Sequence, residues 1–294
     1  MSVASELKPS AAKRTGLLMR VSNQFLANAH GGLALLGRAP RGAVPGGVVP
    51  RPAWRTPGRL VLGGLVAVAL IVASMVLIDA RAILAVGSLP LSVIDLFNEL
   101  TDYGTSDWFL VPIGLVLVAM AALASPALTH MSRLVLAAFA VRLGFVFAAI
   151  ALPGLFVTIV KRLIGRARPF VGGEADPFLY VPFSWRPEYA SLPSGHATNV
   201  FAALVAVGLV CPRLRPIMLV YALVIAASRV IVLAHHPSDV IAGAVVGSVG
   251  ALMVRDWFAA RRLGFVIGPD GGVRALPGPS WRRLKTVARQ FAAA

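Results

Sequence analysis

Six stretches of the chain are apolar for long enough to be read as membrane-crossing helices: residues 60–78, 108–127, 134–160, 197–211, 217–234 and 240–258. A hydrocarbon core about 30 Å thick takes roughly 20 helical residues to cross. The fourth run is the shortest and needs Pro193, Ser194, Gly195 and His196 to complete a crossing, which puts those residues at a membrane–water boundary. The pattern predicts an all-α fold: an integral membrane helical bundle with six transmembrane helices over residues 59–258. The first run is preceded by nearly sixty residues, so it reads as a retained anchor and not a cleaved leader.

The polar intervals are of different kinds. Residues 1–58 mix basic side chains with the Pro- and Gly-rich stretch GRAPRGAVPGGVVPRPAWRTPG, which reads as a flexible tail. Within it, residues 13–26 have the pattern of a short amphipathic helix lying on the inner leaflet. Residues 80–107 form a first outer loop apolar enough to hold an interfacial helix, and 259–294 read as a second basic tail. Inside the third run, Arg142 lies close enough to the inner face to snorkel to water, and Pro153 with Gly154 marks a place for a kink.

Composition agrees with the pattern: 57% of the 294 residues are hydrophobic and 14% charged, with a mean hydropathy of +0.79. The net charge of +16 would raise nucleic-acid binding in a soluble chain, but its distribution argues for a bilayer instead. Residues 1–59 hold nine Lys or Arg against Glu6 alone, and 255–294 hold eight against Asp256 and Asp270. The first outer loop reverses the sign, with Asp79, Asp95, Glu99, Asp102 and Asp107 against Arg81. Positive charge marks the cytoplasmic side, so both termini are expected there and no nucleic-acid partner is expected. Cys211 is the sole cysteine, which excludes an intrachain disulfide and a cysteine-built metal site.

One cluster breaks the orientation rule. With both tails inside, Lys161, Arg162, Arg166 and Arg168 fall on the outer side, as do Pro193–His196 and, at the end of the fifth run, Ser228, Arg229, His235, His236 and Asp239. Cations held on the wrong side imply an anion to hold. Lys161 and Arg168 are seven apart, two turns of a continuing helix, and so share a face. Arg229 sits within an apolar run, where an unpaired guanidinium is costly. Three cations converging on phosphate relieve one another's burial, and guanidinium groups bind its oxygens with charge-assisted hydrogen bonds. Gly195 leaves an amide open at the start of a helix, whose N-terminus carries partial positive charge, and Ser194 adds a hydroxyl.

Two histidines complete the set. Pro237 suits the first helical position, which puts Asp239 in the first turn, four residues from His235 and able to hold its Nδ1–H while Nε2 faces the anion. His196 arrives from a different loop, free to protonate a leaving oxygen.

These residues resemble the type-2 phosphatidic acid phosphatase group, or lipid phosphate phosphatases, whose site is shared with vanadium haloperoxidases. The family pattern K-x6-RP, PSGH, SR-x5-H-x3-D matches Lys161 to Arg168-Pro169, Pro193 to His196, and Ser228-Arg229 to His235 and Asp239. The resemblance runs from about residue 134 to 255 and implies a haloperoxidase-like helical core. It implies that Lys161, Arg168, Arg229, Ser194 and Gly195 hold phosphate, that His235 attacks phosphorus with Asp239 orienting it, and that His196 protonates the leaving group. No metal and no cofactor is implied. Arg162, Arg166 and Arg186 lie outside the pattern and read as headgroup contacts or solvated charge, and Tyr180, Phe183, Trp185 and Tyr189 as interfacial aromatics.

The expectation is a phosphohydrolase of the bacterial inner membrane, with its site facing the periplasm. Its partners would be the bilayer and a lipid phosphate or diphosphate: polyprenyl diphosphate, phosphatidic acid, phosphatidylglycerol phosphate or a lipid A-like molecule. A phosphotransferase passing phosphate to another lipid or sugar is the nearest rival, and an anion channel or transporter the rival without catalysis.

Overall fold

In a computed structural model of the chain, residues 8–40, 50–124 and 128–292 are described. The helices are α1 (Lys8–Leu36), α2 (Pro57–Leu77), α3 (Asp79–Gly87), α4 (Leu91–Asp102), α5 (Asp107–Leu123), α6 (His130–Ile164), α7 (Gly195–Val210), α8 (Arg215–Ile231), α9 (Pro237–Ala260) and α10 (Trp281–Ala292). Between α9 and α10 a small hairpin pairs β1 (Phe265–Ile267) with β2 (Val273–Ala275) antiparallel. The protein is an integral membrane helical bundle. Five helical stretches are long and apolar enough to cross a bilayer, and α7, the fourth expected span, has 16 residues. At 1.5 Å per residue that is about 24 Å, short of a full crossing, as the brevity of its apolar run required. The end of the second expected span, residues 125–127, lies outside the described residues.

α7 is the centre of the bundle, packed against α6, α8 and α9. Its contact face is built of small residues: Ala197, Ala202, Ala203, Ala206 and Gly208 are buried. On α9 the facing positions are Gly243 and Gly247, where a Cβ would fall 2.5 Å from Ser194 O and 2.2 Å from Thr198 O. Small residues let backbones approach, which is how helices gain packing in a solvent as apolar as their own side chains. The approach also puts the start of α7 beside the start of α9, where Ser194 N donates to Asp239 O at 3.0 Å. Towards the other end, Phe145 of α6 packs edge-on against Phe258 and Phe265. Leu62, Leu65 and Val68 of α2 remain exposed, as lipid-facing residues should be.

Several expectations change. The amphipathic stretch expected at 13–26 belongs to the longer helix α1, which packs along α5, where Asn28 donates to Ala121 O at 2.9 Å. Part of the Pro- and Gly-rich stretch, residues 41–49, lies outside the described residues. The first outer loop holds two helices, α3 and α4, where one was expected. Arg142, partly buried, donates to Ala138 O and to Leu276 O, both at 2.7 Å, so the segment after β2 supplies it with an acceptor. α6 runs through Pro153 unbroken. The C-terminal segment, read as a tail, buries Phe265, Ile267 and Val287.

Candidate active site

The site forms where the C-terminal ends of α6 and α8 meet the N-terminal ends of α7 and α9. Lys161 occupies the last turn of α6, which the sequence extended through Arg168 but which stops at Ile164. Gly165 takes the left-handed conformation (φ 66°), and a Cβ there would fall 1.8 Å from Val181 O, so only glycine fits. Arg168 therefore does not share a helical face with Lys161. It reaches the site from irregular backbone pinned by Ala167 N to Leu179 O at 2.9 Å and Arg168 N to Glu188 O at 2.8 Å.

α7 begins at Gly195 with Ser194 as its cap, and a Cβ on Gly195 would meet nothing within 4 Å. The start of this helix therefore leaves room beside Gly195, and helix N-termini are where anions bind. His196 follows, within electrostatic reach of Arg229, His235, Lys161 and Arg168. Its Cδ2 backs onto Gly104, where a Cβ would lie 2.9 Å away. Arg229 ends α8 almost fully buried and donates to Thr101 Oγ1 at 2.5 Å. Thr101 also accepts from Ser228 Oγ at 2.9 Å, so α4 holds the Arg229 corner in place.

His235 is tethered by its own amide to Arg229 O at 3.1 Å. Pro237 opens α9 as the sequence required, and Asp239 Oδ2 accepts from His236 N at 2.9 Å. The His235 Nδ1 to Asp239 Oδ2 separation is 3.7 Å, beyond a direct hydrogen bond. Ser191 lies beside both, donating to Asp239 Oδ2 at 2.6 Å with its Oγ 3.5 Å from His235 Nδ1. Burial, opposed by the Asp239 carboxylate, pushes His235 down to about 4, so it is neutral near pH 7. Burial likewise lowers Arg168, against the pull of Asp239 and Glu188.

The predicted phosphate-holding residues carry an unusual feature. Arg168 Nε, Ser194 Oγ and Arg229 Nε are buried without hydrogen-bond partners among the described residues. Buried donors of this kind are costly unless something accepts from them.

Arg166, read as solvated charge, is the largest correction. It is fully buried, donating to Pro177 O, Ser238 Oγ, Asp239 Oδ1 and Asp79 Oδ2 at 3.0, 2.7, 2.5 and 2.8 Å. Burial alone would lower its guanidinium, but the carboxylates of Asp239 and Asp79 hold it above its ordinary value. Arg162 stacks over Trp185 at 5.3 Å, and Arg186 pairs with Glu188 at the surface. Ser191, Thr101 and Asp79 were not singled out by sequence reasoning. Only Asp79 carried a signal, as a carboxylate placed directly at the end of an apolar run.

Among known proteins, the chain is 34% identical over 199 residues to the lipid A 1-phosphatase of Rhizobium etli, covering 67% of this chain and 84% of that one. It is 35% identical over 96 residues to the decaprenylphosphoryl-5-phosphoribose phosphatase of Mycobacterium tuberculosis, covering 32% and 50%. The crystal structure of Aquifex aeolicus LpxE aligns at 18% identity and a TM-score of 0.44, covering 60% of this chain and 93% of that chain. The model of the PAP2 superfamily matches residues 142–263, the segment that carries Lys161, Arg168, Ser194, His196, Arg229, His235 and Asp239. The chain belongs to the PAP2 superfamily.

Proposed function

We propose that the protein is a lipid phosphate phosphohydrolase working through a phosphohistidine, and the observation that carries this is the set of buried donors on Arg168, Ser194 and Arg229 that lack acceptors among the described residues. A phosphoryl group brings several anionic oxygens to one place, which is what three such donors, the Lys161 ammonium and the Gly195 amide require. With those groups holding the phosphate, neutral His235 attacks phosphorus through Nε2. The P–N bond forms as the ester P–O bond breaks, and His196, which carries a proton once the negative charge of the bound phosphate offsets the surrounding cations, delivers it to the departing oxygen. The resulting phosphoimidazolium keeps its Nδ1 proton facing the Asp239 carboxylate, which stabilises the added positive charge. Water then attacks phosphorus, His196 takes the water's proton, the P–N bond breaks, and inorganic phosphate leaves with His235 neutral again.

The substrate class follows from chemistry and relationship together. A site at the outer ends of apolar helices suits a phosphate whose tail remains in the bilayer. The extent of similarity to a lipid A 1-phosphatase favours a lipid A-like phosphate over phosphatidic acid, phosphatidylglycerol phosphate or a polyprenyl diphosphate. The positive-inside distribution supports a periplasm-facing site with both termini in the cytoplasm.

The test is purified protein in detergent with lipid A, phosphatidic acid, phosphatidylglycerol phosphate and undecaprenyl diphosphate. Inorganic phosphate release from at least one, lost in His235→Ala, is expected. Transfer of phosphate to another lipid without free phosphate would make the protein a phosphotransferase, and an unaffected cellular role in His235→Ala would favour a channel or transporter.

A further inference from the structure

Beneath the histidine pair lies a second tier of buried charge. Asp79, at the turn between α2 and α3, is fully buried. It accepts from Ser74 Oγ at 3.2 Å, from Ser238 N at 2.9 Å, from Ser238 Oγ, and from Arg166 at 2.8 Å. Arg166 bridges from there to Asp239 Oδ1, while Asp239 Oδ2 serves Ser191 and the His236 amide. Asp79 lies outside the residues matched by the family model, 142–263.

We infer that Asp79 and Arg166 are positioning residues: the Asp79–Arg166 bridge fixes the Asp239 carboxylate in the rotamer that faces His235 and tempers how much of its charge the imidazole feels. The inference rests on the phosphatase reading above, since it assigns roles within that site.

The reasoning is geometric and electrostatic. Asp239 has one oxygen for Arg166 and one for the histidine side, so Arg166 sets the carboxylate's plane. A guanidinium presents donors in a rigid fork and spans two acceptors at once, which an ammonium does not. Two carboxylates around one guanidinium leave one net negative charge, and a buried pair lacking Asp79 would be neutral. Asp79 thus keeps Asp239 from being fully neutralised by Arg166. Because Asp79 opens α3, the same bridge ties the first outer segment to the floor of the site. Ordinary structural ion pairs hold elements together, but this one ends on the carboxylate beside the proposed nucleophile.

Charged or titratable groups face His235 from every neighbouring element: Arg168 from the α6–α7 segment, His196 from α7, Arg229 from α8 and Asp239 from α9. None of these is altered by substitution at Asp79 or Arg166, so a shift in pH dependence would report the second tier.

The experiment measures phosphate release by wild type, Asp79→Asn, Arg166→Lys and Arg166→Gln on dioctanoyl phosphatidic acid and on lipid A in detergent, with rates expressed per folded protein. Asp79→Asn is nearly isosteric and should lower kcat by about 10-fold to 10²-fold with KM little changed, the scale of a misplaced catalytic group. Arg166→Gln should move the acid limb of kcat/KM to higher pH, because Asp239 then acts undiluted on His235. Arg166→Lys should return the limb to its wild-type position yet leave kcat low, since charge is restored and the bridge is not. A purely structural pair would lower the folded yield without moving the limb or kcat per folded molecule, and that result overturns the inference. Should Arg166→Gln fail to fold, wild-type kcat in Asp79→Asn would be enough to overturn it. Wild type silent on both substrates would instead defeat the phosphatase reading, and the inference with it.

Discussion

Ser191 and Asp239 form the shortest contact on the histidine side of the site, with Ser191 Oγ donating to Asp239 Oδ2 at 2.6 Å while His235 Nδ1 stands 3.7 Å from the same oxygen. The carboxylate is therefore aimed at His235 by its other partners, and Ser191 is the one beside the imidazole. Ser191→Ala removes a hydrogen bond to a charged group, worth about 1.5–3 kcal/mol, and frees Asp239 Oδ2 to drift. Phosphate release should fall by roughly tenfold in kcat with KM little changed, a small share of the ~10⁴-fold that loss of an orienting carboxylate costs in comparable sites. Side-by-side kinetics of Ser191→Ala and Asp239→Asn check the order; a larger loss at Ser191 would contradict it.

Gly104 is a third place, after Asp79 and Thr101, where the chain outside the matched segment touches the site. A Cβ there would lie 2.4 Å from Ile225 Cγ2 and 2.9 Å from His196 Cδ2. Gly104→Ala must push both neighbours, an overpacking cost of about 1–3 kcal/mol, and the neighbour with room to move is the His196 imidazole, which is only partly buried where Ile225 is fully so. Thermal unfolding should shift down modestly while phosphate release falls further than stability alone explains. Equal proportional losses in folded fraction and activity would rule out displacement of His196.

The pH dependence of stability carries a definite sign. His235 is lowered from 6.5 to about 4 in the folded protein, first by burial. As pH falls below 6.5 the unfolded chain takes up a proton there and the native state does not, so stability falls. The loss accumulates between 6.5 and about 4 and stops once the native imidazole protonates. Wild type should therefore lose Tm more steeply than His235→Asn over that window. Parallel curves for the two proteins would place His235 in a more solvated setting than its burial indicates.

Chelators should leave activity unchanged. The developing charge on the phosphoryl oxygens is met by Lys161, Arg168, Arg229, the Ser194 hydroxyl and the Gly195 amide, so no divalent cation is needed for the proposed steps. Vanadate, which adopts a five-coordinate geometry like that of phosphorus under attack, should inhibit competitively. Phosphate release with and without EDTA, and across a vanadate series, checks both; full loss in EDTA would require a metal in the mechanism.

What could be read from sequence divides along a physical line. The membrane helical bundle was legible because a bilayer demands continuous apolar length, and α7, the one expected span that falls short of the five long apolar stretches, was flagged as short by the same criterion. The α9 cap was legible because Pro237 and Asp239 act within one helical turn. The end of α6 was not, since Lys161 to Arg168 contains nothing that forbids a helix except Gly165, and the stop depends on Val181 O, 16 residues away. Arg166 was misread for a related reason. A basic residue among others at a membrane boundary looks solvated until Asp79 and Asp239, 87 and 73 residues distant, enclose it. Local capping rules reach such features only when the partner is local as well.

His196 offers the most discriminating test, because its proposed work differs between the two halves of the reaction. In the first half it protonates a departing alkoxide; in the second it deprotonates water. General acid–base catalysis is worth about 10² to 10⁴ in rate, so His196→Ala should slow release of phosphate from a lipid phosphate by that factor. Replacing the lipid with p-nitrophenyl phosphate removes the need for a proton in the first half, since a nitrophenolate leaves unaided, but leaves the second half unchanged. The variant should then show a rapid burst of nitrophenolate close to one per site, followed by slow turnover as the phosphohistidine waits for water. Acid-labile phosphate on His235 should accumulate during that slow phase. If nitrophenolate instead appeared at the same reduced rate from the first turnover, His196 would not be the proton donor, and its position beside Arg229 and His235 would have to be explained by substrate binding alone.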